Sequence, residues 1–522
     1  MPAADIILTG ARIHTLDPAR PRATAVAIKD GTITAVGDTA DVRDWNGPGT
    51  ETVDLTGATL TPGLTDAHSH PVWGLELATG IDLSGVGDLA GLLAALSSAP
   101  RVDGWVLGYG LDHNAFEGRP LHHTLIQGAL NGAHAYIRLY DGHSALLGES
   151  ALELAGIDGP RTFDQRAEVV CDVEGRPTGH LIEHAAMDLV APVLPRTPQA
   201  ERRTQLIDLL SAMAATGLTS AHAMDLGGGA LELLPAVEAE ADLPLRLRLA
   251  PWCMPGASDD DLAELIALQR QRGRNWRVGG VKFFMDGTVE GGTAWLEQPD
   301  CHGQGADAFW PDPKAYSAAV RRLHEAGVPT ATHAIGDAAV RHVLDTVESL
   351  GAGGPRHRIE HIETVPDDQI PRFARLGVVA SMQPPHTAFT RADHTDEWSQ
   401  RLGGERASRA WRCRDLRDAG AVLAIGSDWP IAHFDARQVL AMGRHPKGAS
   451  RDAGLTGLMA LEGMTTHAAH AAGEETVAGR VAVGHRADLT AFGLDPIEST
   501  PDELADAPIP LTITAGRIVH RA

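Results

Sequence analysis

Over the first 57 residues apolar and polar positions alternate in short runs, and each run stops at a turn signal. Ile6-Ile7-Leu8 ends at Thr9-Gly10, and the run 25–28 ends at Lys29-Asp30-Gly31; runs 33–37 and 51–55 follow. Asp-Gly and similar pairs between alternating runs mark hairpins, so this stretch predicts β-strands. The end of the chain has the same style over 487–492 and 511–519. Neither end carries enough strands for a core of its own. Residues 1–57 and 476–522 are therefore expected to pair into one small composite β-sandwich.

Over 58–475 the pattern changes to short apolar runs alternating with helical stretches, which predicts a parallel α/β sheet. Eight runs qualify as strands: 58–64 leading to His70, 218–222, 245–250, 280–284, 329–333, 358–361, 378–382 and 422–425. Eight strands in βα alternation is the count of a closed (β/α)8 TIM-like barrel, whose site belongs at the C-terminal strand ends. The first crossover, about 75–200, is far longer than an ordinary one and holds strand-like pieces at 135–140 and 168–172. It reads as an inserted subdomain over the barrel mouth.

Composition narrows the function. A chain of 522 residues with 43% hydrophobic and 21% charged positions has the make-up of a soluble globular enzyme with a large core. A net charge of −24 and the lack of a basic patch argue against nucleic acid as a partner. No apolar run is long enough to span a bilayer, so no membrane role is expected. Met1-Pro2-Ala3-Ala4-Asp5 lacks a basic start before an apolar core, so no signal peptide is expected. Cys171, Cys253, Cys301 and Cys413 are far apart, which fits neither a thiolate zinc site nor a disulfide framework. A reducing, cytoplasmic setting is the expectation, with a small-molecule substrate as partner and a homodimer left open.

The candidate chemistry gathers at the strand ends. His68 and His70 follow the first run, and alternation along extended chain points both imidazoles the same way, making half of a metal site. Lys282, His333, His361 and Asp428 fall at the ends of the fourth, fifth, sixth and eighth runs. Neutral imidazole and carboxylate are natural ligands for a zinc-like ion. Lys282 is the odd member, but a buried lysine loses its proton readily, and the neutral amine can add carbon dioxide to form a bridging carbamate. Two divalent ions about 3.5–4 Å apart would hold a hydroxide and polarise a carbonyl at once. Asp428 is the expected catalytic group, taking the proton of the hydroxide and returning it to the departing nitrogen.

This set resembles the metal ligands of the amidohydrolase superfamily in its binuclear, carbamylated-lysine form. Segments similar to its amidohydrolase-3 branch, which includes N-substituted formamide deformylases, are Trp105-Val-Leu-Gly-Tyr-Gly110, Asp141-Gly-His-Ser-Ala145, Lys282-Phe-Phe-Met-Asp-Gly287, His333-Ala-Ile-Gly-Asp337, Arg358-Ile-Glu-His361 and Gly426-Ser-Asp-Trp-Pro430. The resemblance implies the composite sandwich and the barrel. It also implies that His68, His70 and Asp428 hold one divalent ion and His333 and His361 the other, with carboxylated Lys282 as bridge and zinc as the metal. Thr288-Val-Glu-Gly-Gly292 departs from the Ser-Leu-Gly-Ser-Arg-like run common in the branch, which unsettles any borrowed substrate.

Four further residues are candidates for substrate binding. His143 follows the Tyr140-Asp141-Gly142 turn of the insertion, Trp73 follows the histidine pair, His222 ends the second run, and Asp286 follows Lys282. His467 and His470 stand one helical turn apart and read as a helix surface, and Asp259-Asp260-Asp261 as a helix start. The function expected is hydrolysis of a non-peptide C–N bond, in a linear amide or an N-formyl or N-acyl amine. Rival readings are a mononuclear deaminase or cyclic-amide hydrolase of the same superfamily, and a non-catalytic barrel that binds metal or small molecules. Against the deaminase, Gly336 stands where such enzymes usually carry a glutamate.

Overall fold

The computed structural model describes residues 3–163 and 165–522. Both ends of the chain meet in one eight-stranded sheet. Its order runs Arg517–Arg521, Leu511–Thr514, Leu489–Phe492, Thr59–Pro62, Ile6–His14, Arg22–Lys29 and Thr32–Gly37, and Glu51–Asp54 also pairs with Ile6–His14. The join is the antiparallel pairing of Thr59–Pro62 with Leu489–Phe492. Leu8, Ile13, Ile28 and Ile33 from one end pack with Leu489, Leu511 and Ile513 from the other, which explains why neither end needs its own core.

The run 58–64 is not one strand. Thr59–Pro62 belongs to the terminal sheet, so that sheet reaches past residue 57, and a separate strand, Leu64–Ser69, starts the parallel array. Gly63 is the hinge, its N–H donating to the Asp488 carbonyl at 2.7 Å. His68 therefore lies inside its strand and His70 one residue beyond it.

The parallel strands form an α/β array with the arrangement of a TIM-like barrel. Four of them run in the order Trp276–Val278, Arg246–Leu249, Leu218–Ala223, Leu64–Ser69; five more run Val281–Phe284, Thr330–Ala334, Arg358–His361, Val379–Met382, Leu423–Ile425. A parallel bridge between Trp252 and Lys282 joins the two groups on one side. On the other, the Asp428 N–H donates to the His68 carbonyl at 2.7 Å. Strand Trp276–Val278 was not anticipated; it is three residues long and directly precedes the one that carries Lys282.

Side-chain alternation sorts each strand. Leu247 and Leu249 enter the large hydrophobic core, where Leu206, Leu210 and Met213 of helix Gln199–Ala215 also lie. Arg246 and Arg248 face the opposite way. Helix Asp259–Leu268 begins with the three acidic residues, and Ser258 caps it by accepting the Asp261 N–H. His467, in helix Thr466–Ala472, is not on a free helix surface: its Nδ1 lies 3.1 Å from the Leu423 backbone nitrogen, against the last strand.

The long crossover carries its own six-stranded sheet, including Trp105–Leu111, His134–Leu139, Ser144–Leu147 and Pro177–Ile182. The turns at the ends of these strands deliver Tyr140, Asp141, His143 and His184 to the mouth of the parallel array. No helix among the described residues is long and apolar enough to cross a membrane.

Candidate metal centre

Two buried carboxylates set the frame. Asp66 accepts the backbone N–H of His68 at 3.1 Å and of Ser427 at 3.0 Å, tying the first strand to the loop that carries Asp428. A Cβ at Gly426 would fall 2.5 Å from the His68 backbone nitrogen, so only glycine lets these segments approach. Asp428 then takes a left-handed backbone conformation, φ +62°, and His361 does likewise at φ +75°. Such conformations are costly for residues with a Cβ, and they cluster where a side chain must be aimed.

Each histidine of the first pair is oriented from behind. His68 Nδ1 donates to Glu360 at 2.6 Å, and His70 Nδ1 donates to Asp225 at 2.7 Å. Both Nε2 atoms are thereby turned toward Asp428 Oδ1, at 3.4 Å from His68 and 3.3 Å from His70. A carboxylate behind a metal-ligating imidazole is the usual way its tautomer and direction are fixed. Glu360 is itself held by Arg358, whose guanidinium also donates to the Ala67 carbonyl and to Ser381 Oγ, both at 2.6 Å.

His68 Nε2, His361 Nδ1, His386 Nε2 and Asp428 Oδ1 are all buried and without a hydrogen-bond partner. Leaving four buried polar atoms unsatisfied costs folding free energy, about 1–3 kcal/mol for each. They lie around the Asp428 carboxylate, where bound cations would offset that cost. The ligand atoms fall into two groups that share one carboxylate: His68, His70 and Asp428, and His361, His386 and Asp428. His386 Nε2 lies 3.7 Å from Asp428 Oδ2, and His361 Nδ1 lies 3.8 Å from it. The donors are imidazole and carboxylate, the set that suits zinc and its neighbours.

His333 stands beside His361, ring centres 4.3 Å apart, with Nε2 bonded to the Gly287 carbonyl at 3.0 Å. That bond leaves Nδ1 as the ring atom free to meet another group. Lys282 is 1% exposed and has its Nζ 5.2 Å from the centre of the Phe284 ring. Burial pulls its ammonium down to about 8, so the neutral amine is within reach near physiological pH. Burial likewise draws His68 down to about 4, with Lys282 adding to the effect, which keeps that imidazole neutral. His70 goes the other way: despite burial, the hydrogen bonds to Asp225 and Asp428 hold it up at about 9. A cation between His70 and Asp428 would take the place of that proton.

One cavity of about 60 Å³ adjoins these atoms. His68, His70, Lys282, His333, His361, Asp428, His143 and Trp73 all line it. Two expected substrate residues do not. The Asp286 carboxylate is consumed by three backbone N–H groups, of Ile335 at 3.0 Å, Gly336 at 2.7 Å and Trp295 at 2.9 Å. It fixes a loop from behind, and burial pushes its pKa up to about 8. His222 points away from the cavity, and its Nδ1 meets Arg358 at 3.1 Å.

Several cavity residues escaped the sequence reading. His386 lies four residues past strand Val379–Met382, a histidine beyond a strand end in a parallel array whose other strand ends carry candidate ligands. That signal was available. Glu363, which accepts the Trp398 Nε1–H at 2.8 Å, and Tyr140, stacked on Phe389 with ring centres 3.9 Å apart, had no such signal. His143 is oriented by Glu183, 2.7 Å from its Nδ1, in the manner of the first histidine pair.

A sequence profile of the Amidohydrolase family matches residues 51–520. Protein LONG AFTER FAR-RED 3 of Arabidopsis thaliana is 30% identical over 458 residues, covering 83% of this chain and 76% of its own. N-substituted formamide deformylase of Arthrobacter pascens is 26% identical over 538 residues, 98% of this chain and 97% of its own. Among solved structures, an uncharacterized metal-dependent hydrolase from Pyrococcus horikoshii aligns at a TM-score of 0.72 with 24% identity, over 95% of this chain and 99% of that one.

Proposed function

The chain belongs to the amidohydrolase family, and on that premise we propose that it hydrolyses a non-peptide C–N bond, in a linear amide or an N-formyl or N-acyl amine. The observation that carries the reading is the set of unpartnered buried atoms on His68, His361, His386 and Asp428 beside Lys282, at one cavity. Two divalent ions, zinc by the donor set, would supply an activated water and polarise the substrate carbonyl. His68, His70 and Asp428 would hold one, His333 and His361 the other, and carboxylated Lys282 would bridge them. His386 would complete the set or meet the substrate.

The protein groups then have separate tasks. Asp428, buried among the imidazoles, carries a proton from the attacking water to the leaving nitrogen. Glu360 and Asp225 keep His68 and His70 aimed. The insertion lines the cavity with Tyr140 and His143, while Phe389 and Trp411 give it an apolar wall. A wall of this kind suits an uncharged acyl or aryl portion. Similarity to an N-substituted formamide deformylase supports the formyl end of the range. We read the eight-stranded sheet as the composite β-sandwich and the parallel array as a (β/α)8 barrel, in a cytoplasmic protein.

The deaminase reading is disfavoured by Gly336. Its N–H is bound to Asp286, and a Cβ there would fall 2.0 Å from the Trp295 carbonyl oxygen, so that position leaves no room for a carboxylate side chain. The test is a substrate panel on zinc-loaded protein with bicarbonate: N-formyl amines, N-acyl amines, lactams, ureas and aminopurines. Release of formate or carboxylate from the first two classes is the expected result. Ammonia from the aminopurines alone would overturn the reading.

A further inference from the structure

A second cavity, about 130 Å³, opens at the N-terminal ends of the strands, away from the loops that carry the metal ligands. Ser220, His222, Arg246, Arg248, Asn275 and Arg277 line it. The row His222, Arg248, Arg277 follows from register: Arg248 pairs with His222 on one side and Arg277 on the other. Four arginines in this region are matched. Arg246 pairs with Asp488 at 2.9 Å, and Arg277 and Arg486 share Glu474, each at 2.8 Å. Arg358 is matched by Glu360.

Among the described residues that line the cavity, Arg272 is exposed and Arg248 is the buried arginine without an ion pair. It is 7% exposed, its Nε has no partner, and among the described residues no carboxylate lies within ion-pair reach of its guanidinium. Burial, together with Arg277 and Arg358, pulls its pKa down to about 9. Glycine at 279 and 280 leaves the guanidinium its space, since a Cβ at Gly279 would fall 2.9 Å from Arg248 Nε. Glu474, which also lines the cavity, and Glu360 offset part of the repulsion from Arg277 and Arg358 from a distance, but a buried guanidinium with no direct counter-ion is costly, and in a chain of net charge −24 a basic cavity is not a by-product of composition.

We propose that this cavity binds a small oxyanion, a carboxylate, sulfate or phosphate, on the fork of Arg248 with Arg277 beside it. Planar guanidinium donors match the oxygen spacing of such anions. The anion also eases the repulsion that Arg248 exerts on Arg358, which holds Glu360 and through it His68. The site thus stabilises the fold and steadies the metal centre from below. It does not depend on which C–N bond the enzyme cleaves.

The test is the melting temperature of zinc-loaded protein in sodium sulfate against sodium chloride at equal ionic strength, for the native chain and Arg248→Met. Sulfate should raise the native value saturably, by roughly 1–2 °C at a tenfold excess over its dissociation constant, and the variant should lose that saturable part. A general salting effect, or sulfate bound at the metals, would survive in the variant, so equal responses would overturn the proposal. Anomalous diffraction from native crystals soaked in selenate decides the matter independently of how the variant folds. Selenium density against Arg248 is expected, and density confined to the metal centre would refute the site.

Discussion

Glu360 Oε2 lies 2.6 Å from His68 Nδ1, with both side chains fully buried. The carboxylate can only accept, so the imidazole proton sits on Nδ1 and Nε2 is left free for a ligand. Arg358 Nε donates to the other carboxylate oxygen, Oε1, at 2.5 Å, and burial is outweighed by Arg358 and His68, which keep the acid well below the usual carboxylate range.

Glu360→Gln keeps the shape and removes the charge that fixes this tautomer. Zinc affinity should fall by about 10–100-fold, read by competition against a chromophoric chelator. Unchanged affinity would mean that Glu360 serves the fold and not the ligand.

Lys282 tests the number of ions. Protein prepared with bicarbonate should carry about two transition-metal ions per chain, and Lys282→Ala should carry fewer, measured by plasma mass spectrometry. About one ion in both proteins would remove the bridge.

Asp428→Asn, which keeps one oxygen donor, should lower turnover per bound metal ion on the best substrate of the panel by about 10²–10⁴-fold, the usual range for losing a general acid–base group. Full activity would end its role as the proton carrier.

The His113–Asp141 pair, 3.0 Å apart in the insertion, predicts a pH dependence. Burial pushes the Asp141 carboxyl up, but His113 outweighs it and leaves the pKa at about 2, below the ordinary 3.8. That contribution, about 2 kcal/mol, is complete above pH 3.8 and is lost as pH falls toward 2. Burial pulls His113 down, but Asp141 outweighs it and raises the imidazole above 6.5, so its share is complete below 6.5 and fades as pH climbs through the raised value. The melting-temperature difference between the native chain and His113→Gln should therefore be largest between about pH 4 and 6.5 and shrink on either side. A difference that stays flat from pH 5 to 9 would refute the pairing.

The cluster of candidate donors around the cavity was legible because its signal is local. A His-x-His pair at a strand end, and single histidines, a lysine and an aspartate at later strand ends, need only period and order to be read. His386 carried a weaker version of that signal, four residues beyond its strand instead of at its end. Asp286 misled because sequence cannot show what a carboxylate bonds. Three backbone N–H groups claim it, two of them about 50 positions later in the chain.

By itself the sequence determined the α/β class, the pairing of the two chain ends and the residues that could hold metal, since these rest on apolar periodicity and donor type. Tertiary structure alone decided where the run 58–64 divides, which carboxylate stands behind each histidine, and that Arg248 is buried without a counter-charge. The reason is distance along the chain. Glu360 is 292 residues from His68 and Asp225 is 155 from His70, and no local pattern encodes a partner so far away.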